Sequence, residues 1–150
     1  MKKKNIPVKF LKTIIKQKKS IRVIVNGNSM YPILCDGDYI NILIKTKYSV
    51  GDVIVFYYEF DKNYLIHRIV ARHGKFFYVK GDNAFRIEKI KSKDIIGYVK
   101  FDFNGKYKIK EYCKKAYKLG LYARRVKYNM KKIYESHYYI ETQKTKFLVK

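Results

Sequence analysis

The feature that most constrains the fold is a change in hydrophobic period at Ile21. From Ile21 to about Tyr107, apolar and polar residues alternate, and short turn sequences interrupt the alternation. These turns are rich in Gly, Asn and Asp: Asn26-Gly27, Asp36-Gly37, Gly51-Asp52, Asp61-Lys62-Asn63, His73-Gly74, Gly81-Asp82-Asn83 and Asn104-Gly105. Short strands separated by such turns predict a mainly β, antiparallel domain, with a hairpin at His73-Gly74. The length of 150 residues supports one domain with a modest core.

Helical patterns flank this β region. Residues 5–19 predict a short amphipathic helix, because Val8, Leu11, Ile14 and Ile15 fall on one side and lysines on the others. We therefore divide the chain into a basic N-terminal helix (residues 1–20), a β domain (residues 21–108) and a basic amphipathic helical extension (residues 109–150).

The C-terminal extension is predicted to be one long helix. Its apolar stripe has spacings of three and four and consists of Tyr112, Ala116, Leu119, Ala123, Val126, Met130, Ile133 and His137. Gly120 interrupts this helix and weakens it by about 1 kcal/mol relative to Ala. Packing of the stripe on the β domain, on a partner helix and on an anionic membrane all agree with the pattern.

The formal net charge of +23 is concentrated at the two ends of the chain. Residues 1–20 contain eight Lys and no acid, and residues 105–150 contain fourteen Lys or Arg against three Glu. The 84 residues between them carry thirteen bases and nine acids. Basic flanks favour an anionic partner, such as a membrane surface, nucleic acid or an acidic peptide. Compositional drift toward Lys, Ile, Asn and Tyr would also raise the charge, but it does not explain why the acids stay in the middle.

The sequence has no stretch of about 20 apolar residues that could span a bilayer. The apolar run near the N-terminus is broken by Lys9, Lys12 and Lys16, so it does not match a secretory signal. We therefore expect a cytoplasmic protein, with peripheral contact at an anionic membrane through the basic flanks as a further expectation.

The two cysteines, Cys35 and Cys113, form no CxxC motif and no Cys/His cluster, and the sequence therefore predicts no metal site and no cofactor. Cys35 lies close to Ser29 but has no motif of its own, so a structural thiol is the expectation.

Five ordered sequence blocks carry the chemistry. The first is Gly27-Asn28-Ser29-Met30-Tyr31-Pro32, followed by Asp36-Gly37-Asp38 and an alternating apolar stretch. The others are Gly51-Asp52-Val53-Ile54-Val55-Phe56, Tyr64-Leu65-Ile66-His67-Arg68-Ile69-Val70, Lys80-Gly81-Asp82-Asn83 and Asp94-Ile95-Ile96-Gly97-Tyr98-Val99. In this order, across residues 22–100, the blocks resemble type I signal peptidases and their LexA-like serine peptidase relatives.

The resemblance implies a catalytic Ser29. The residue before Arg68 separates two branches of the family, because the common bacterial enzymes place a lysine general base there and the endoplasmic-reticulum and archaeal type places a histidine. Here that residue is His67, so the chain is most similar to the Ser-His branch. A serine hydroxyl needs a neighbouring base, and histidine is suited to that role near neutral pH.

A third residue is expected to orient His67. The family places acids in and just after the Gly-Asp-Asn block, and Asp82 matches the first of them. An equally weighted alternative is that Asp82 caps the turn after Lys80. Ile87 and Glu88 occupy the region of the later acids, and Glu88 is the weaker candidate for the orienting residue.

The remaining site residues follow from the resemblance. The backbone N–H of Ser29 is the expected oxyanion donor, and the side-chain amide of Asn28 either assists it or shapes the turn. Many bacterial enzymes have a serine two residues before the nucleophile, where this chain has Gly27. Met30 and Tyr31 are expected to contact a substrate that binds as an extended strand.

These observations predict a serine endopeptidase that removes a leader or signal segment from a peptide or protein precursor. One alternative is a non-catalytic basic module that binds a membrane surface or nucleic acid on a degenerate peptidase fold. Nucleic acid is the disfavoured partner, because no nucleic-acid-binding motif is present. A LexA-like self-cleaving regulator is a weaker alternative, since those proteins use a lysine base.

Overall fold

The computed structural model describes residues 6–100 and 106–125 of the chain. The elements in these ranges are α1 (Val8–Lys18), β1 (Ile21–Ile24), β2 (Tyr39–Leu43), β3 (Val53–Tyr58), β4 (Asn63–His73), β5 (Phe76–Lys80), β6 (Ile87–Lys91), β7 (Ile95–Val99) and α2 (Lys106–Arg125). The mainly β domain with a helix on each side that the sequence predicts is confirmed.

The strands form one seven-stranded curled sheet in the order β1-β2-β7-β3-β4-β5-β6. All the neighbouring pairs are antiparallel. The predicted hairpin joins β4 to β5, with Gly74 at a φ of +57°, which glycine adopts without strain. β4 pairs with β3 through Asn63–Arg68 and with β5 from Arg68 onward, so its first half is paired on one side only among the described strands.

β3 lies at the centre of the core because both of its faces are buried. Val53 and Val55 pack in one apolar cluster with Ile15 of α1. Ile54 and Phe56 belong to a second cluster on the opposite face. A strand buried on both faces reads as a continuous apolar run, as this one does. The central strand therefore joins the two halves of the core.

Helix α2 packs on the β domain. Tyr112, Cys113, Ala116 and Leu119 form a buried cluster with Val70, at the point where the pairing of β4 with β5 shifts register. The first part of the predicted stripe thus packs on the parent domain. Its last four members, Val126, Met130, Ile133 and His137, lie outside the described residues. Neither helix in the described ranges is long and apolar enough to cross a membrane.

Gly120 allows a close approach between α2 and β6. A Cβ at this position would lie 2.3 Å from Cδ1 and 2.4 Å from Cγ1 of Ile87. The glycine that weakens the helix locally therefore permits its docking.

We expect Gly120→Ala to lower the free energy of unfolding. Overpacking costs about 1–3 kcal/mol, which exceeds the gain of about 1 kcal/mol in helix propensity. The Ile87→Ala background removes both contacting carbons, and there the same substitution should be neutral or stabilising. Urea unfolding of the four proteins of this cycle measures the coupling. Equal effects of Gly120→Ala in both backgrounds would contradict the packing explanation.

Candidate active site

Ser29 lies in the connection between β1 and β2, which polar side chains shape. The N–H of Gly27, at a φ of +86°, donates to Oδ1 of Asp36 at 2.7 Å. The N–H of Asp36 donates to Oδ1 of Asn28 at 3.2 Å. These two contacts join the ends of the turn. They agree with the turn-shaping alternative for Asn28, since its side-chain oxygen is already a turn acceptor.

The Gly-Asp-Asn block holds the Ser29 backbone. The N–H of Asn83 donates to the Ser29 carbonyl at 2.7 Å, and its Nδ2 donates to the Asn28 carbonyl at 3.0 Å. A Cβ on Gly81 would lie 2.7 Å from the Ser29 carbonyl oxygen and 3.1 Å from Nε2 of His67. Only glycine therefore lets these segments approach so closely.

Ser29, His67 and Glu88 form one line of hydrogen bonds. Nε2 of His67 lies 3.3 Å from Oγ of Ser29, although the two residues are 38 positions apart in the sequence. Nδ1 of the same ring lies 2.9 Å from Oε2 of Glu88. The His67 tautomer that carries its proton on Nδ1 donates to Glu88 and leaves the Nε2 lone pair facing the Ser29 hydroxyl. His67 is 5 % exposed and Glu88 is fully buried.

The register of the sheet explains why Glu88 reaches His67. Ile69 pairs with Val79, and Val79 pairs with Glu88, so these side chains share one face of the sheet. His67 precedes Ile69 by two residues on β4 and therefore shares that face. Only the register of β4, β5 and β6 places Glu88 beside His67, and this register cannot be read from the sequence.

Asp82 contacts Arg68 instead of the imidazole. Its Oδ1 accepts from Arg68 Nε at 2.9 Å and its Oδ2 from a terminal guanidinium nitrogen at 2.8 Å. Tyr112 of α2 donates to Oδ1 at 3.3 Å. The sequence favours Asp82 over Glu88 as the orienting residue of His67, but in the structure it is Glu88 that contacts the imidazole. Both ring nitrogens of His67 already have other partners.

The pair of Arg68 and Asp82 is buried, with at most 1 % of either side chain exposed. Burial by itself would lower the pKa of Arg68, but the Asp82 carboxylate outweighs it and the pKa is raised. Arg68 therefore stays charged, and its other terminal nitrogen donates to the carbonyl of Gly51 at 2.8 Å.

Met30 and Tyr31 differ in their surroundings. Met30 is 2 % exposed, and its sulfur accepts from the N–H of Asp82 at 3.3 Å. Tyr31 is half-exposed at the surface. Among the described residues, Ser29 itself donates its backbone N–H to no protein acceptor.

A groove of about 310 Å³ opens beside Ser29. Met30, Val23 and Ile66 are among its apolar lining residues, and Asn26 and Asn63 are among the polar ones. None of the described side chains that line it carries a charge. The groove lies between the edge strand β1 and the half of β4 that is paired on one side only.

Family comparison agrees with this fold and this arrangement of blocks. The family model for Peptidase S24-like proteins matches residues 2–107. The chain therefore belongs to the Peptidase S24-like family, within the superfamily of LexA-like and signal peptidase serine peptidases. The membership places it in a class of serine peptidases. A search of curated proteins found no match.

The two thiols lie in different surroundings. Cys113 of α2 is fully buried on the face that packs against the sheet, and burial raises its pKa to about 12. Cys35 is partly exposed, and its N–H donates to Asp38 at 2.7 Å. Both thiols are free.

We expect iodoacetamide at pH 8 to alkylate the native protein at Cys35 and to spare Cys113. The thiolate is the reactive form, and Cys113 is both buried and protonated at this pH. Intact mass should show one addition on the native protein and two after denaturation. Cys35→Ala should abolish the native addition. Native alkylation of Cys113 would mean that α2 opens from the sheet.

We expect Arg68→Met to lower the free energy of unfolding by about 3–5 kcal/mol, because it leaves the Asp82 carboxylate buried without its cation. Arg72→Met is the matched control, since Arg72 is exposed on the same strand and should change stability by about 0.5 kcal/mol or less. Urea unfolding checks both variants. Equal effects would contradict a special role for the buried pair.

Proposed function

We propose that this protein is a serine endopeptidase that removes a leader or signal segment from a peptide or protein precursor. Ser29 is the nucleophile, His67 is the general base, and Glu88 orients His67. The observation that carries the proposal is the continuous hydrogen-bonded line from Ser29 Oγ through both His67 nitrogens to Glu88.

In the first step, Oγ of Ser29 adds to the scissile carbonyl carbon and its proton passes to Nε2 of His67. Glu88 stabilises the imidazolium that forms, as an acid does in other serine hydrolase triads. The backbone N–H of Ser29 is the donor for the developing oxyanion. Collapse of the tetrahedral intermediate breaks the C–N bond, and His67 returns its proton to the leaving amine.

The second step hydrolyses the acyl ester on Ser29. His67 removes a proton from an entering water molecule, whose oxygen adds to the ester carbonyl. Collapse of the second intermediate breaks the bond between the carbonyl carbon and Oγ, His67 returns its proton to Oγ of Ser29, and the new carboxyl group is released. The separation of 3.3 Å between Ser29 and His67 suits a resting site, since such contacts tighten when substrate binds.

The groove beside Ser29 supports an extended peptide as the substrate. β1 is an edge strand, and the first half of β4 pairs only with β3 among the described strands. A peptide lying between them can therefore add main-chain hydrogen bonds as a new strand. The uncharged lining favours an uncharged sequence next to the cut.

The basic flanks favour an anionic feature outside the groove. The eight lysines of residues 1–20 make an acidic leader or an anionic membrane surface the matching partner. Either one would hold a precursor near Ser29, and the attraction would weaken as salt is raised.

The test is covalent labelling of the full chain with a fluorophosphonate, read by intact mass. We expect one adduct on the wild type and none on Ser29→Ala or His67→Ala, because acylation needs both the nucleophile and the base. Ser92→Ala and His73→Ala are matched controls that should label at the wild-type rate, since both residues lie away from the site.

Glu88→Gln and Asp82→Asn separate the two carboxylates. We expect Glu88→Gln to slow labelling by about 10²- to 10⁴-fold, because a neutral amide no longer stabilises the imidazolium. Asp82→Asn should mainly lower the free energy of unfolding, and the rate per folded molecule should fall less. The opposite ranking of labelling rates would return the orienting role to Asp82.

Cleavage of a library of uncharged extended peptides completes the test. Cutting that is lost in Ser29→Ala supports the endopeptidase. Absence of both adduct and cleavage, together with retained binding to anionic vesicles, would overturn it in favour of a non-catalytic module. A wild-type chain that shortens on incubation while Ser29→Ala stays intact would indicate self-cleavage.

A further inference from the structure

Glu88 has a second partner besides His67. Its Oε2 accepts from His67 at 2.9 Å, and its Oε1 accepts from Nε of Arg86 at 2.9 Å. Each carboxylate oxygen thus has its own donor. Because Glu88 is fully buried, these contacts determine both the orientation of the carboxylate and the charge beside it.

Arg86 is held on its other side by Asp61. Asp61 lies in the turn between β3 and β4, and both of its oxygens accept from the terminal nitrogens of Arg86, one of them at 3.1 Å. The guanidinium also lies 5.2 Å from the ring centroid of Tyr58. The hydrogen bond to Asp61 raises the pKa of Arg86, and the same contact lowers the pKa of Asp61. Both groups are therefore charged at neutral pH.

The geometry points to Arg86 and Asp61 as a positioning pair that fixes Glu88 and sets how readily His67 accepts a proton. This inference rests on the proposed function and deepens it. Neither Arg86 nor Asp61 contacts Ser29, so both act on His67 through Glu88. Neither residue lies in the five sequence blocks. They lie 25 residues apart and meet only when the turn after β3 folds toward the start of β6.

Arg86 and Asp61 have opposite electrostatic effects on His67. The Arg86 cation offsets part of the Glu88 charge, which makes the His67 imidazolium less stable than Glu88 alone would. Asp61 offsets part of the Arg86 charge and so acts in the opposite direction. At 53 % exposure of the Arg86 side chain, solvent reduces both effects without removing them.

Within residues 6–100 and 106–125, few other charges face the imidazole. Glu88 faces it from β6 and Phe56 of β3 lies 5.9 Å away as a neutral ring. Arg68 follows His67 on β4 and therefore points to the other face of the sheet, where it is neutralised by Asp82. Lys80 pairs with Arg68 and so shares that other face. The charges of Arg86 and Asp61 are thus the ones that reach His67 through Glu88.

The test is an NMR titration of the histidine rings in the full chain. The protein has three histidines, so the His67 signal can be assigned by its loss in His67→Ala. We expect Arg86→Gln to move the His67 titration midpoint to higher pH by about half a unit or more, and Asp61→Asn to move it to lower pH. Arg72→Gln, which removes an exposed arginine elsewhere on β4, should leave it unchanged.

Arg86→Lys separates charge from geometry. It keeps the cation but loses the forked contact between Glu88 and Asp61. We expect Arg86→Lys to react more slowly with the fluorophosphonate, while its His67 titration midpoint stays close to that of the wild type. In Arg86→Gln, the reaction should also be slower, and the acid limb of its pH–rate profile should move to higher pH. If Arg86 had a purely structural role, both variants would react equally slowly and neither would change the His67 titration midpoint.

The outcomes distinguish the inference from the proposed function. Midpoints that stay in place, or that move in the same direction for Arg86→Gln and Asp61→Asn, would overturn the inference even if the wild type is labelled at Ser29. Midpoints that move in opposite directions in a protein that neither labels nor cleaves would support the charge effect and overturn the peptidase.

Discussion

A buried ion pair between Arg68 and Asp82 joins the segments on which the site depends. Arg68 follows His67 on β4, and Asp82 lies between the two residues that approach Ser29, Gly81 and Asn83. Tyr112 extends the pair to α2. Breaking this pair would be strongly destabilising, because one charge would remain buried without its counter-ion. The pair therefore connects the strand, the loop and the helix behind the hydrogen-bonded line of Ser29, His67 and Glu88.

Two buried carboxylates with the same chemistry have different surroundings, and the surroundings separate their roles. Asp82 lies against a guanidinium on the face away from His67, so its charge is used in holding the fold. Glu88 accepts a hydrogen bond from the imidazole and a second one from Arg86, which is half-exposed. Two buried acids can therefore lie a few residues apart and contact different partners, since they lie on opposite faces of the sheet.

Much of the arrangement was predictable from the chain alone. The alternating period and its turns predict the antiparallel β domain, and the ordered blocks single out Ser29 and His67, which the structure brings to 3.3 Å. The blocks do not show that Glu88 contacts the imidazole while Asp82 contacts Arg68, because they give order along the chain and not register between strands. Helix α2 shows the same limit, since its apolar stripe agreed with packing on the domain, a partner or a membrane.

The sequence by itself determined the class of fold, the family and the two residues of the central contact, because these follow from local period and motif order. Only the tertiary structure decided which carboxylate contacts His67, since Glu88 reaches the imidazole through pairing across β5. It also decided the meeting of Asp61 with Arg86 and the docking of α2 against Ile87. Each of these depends on strand register and on the closeness of two backbones, quantities that exist only once the sheet has formed.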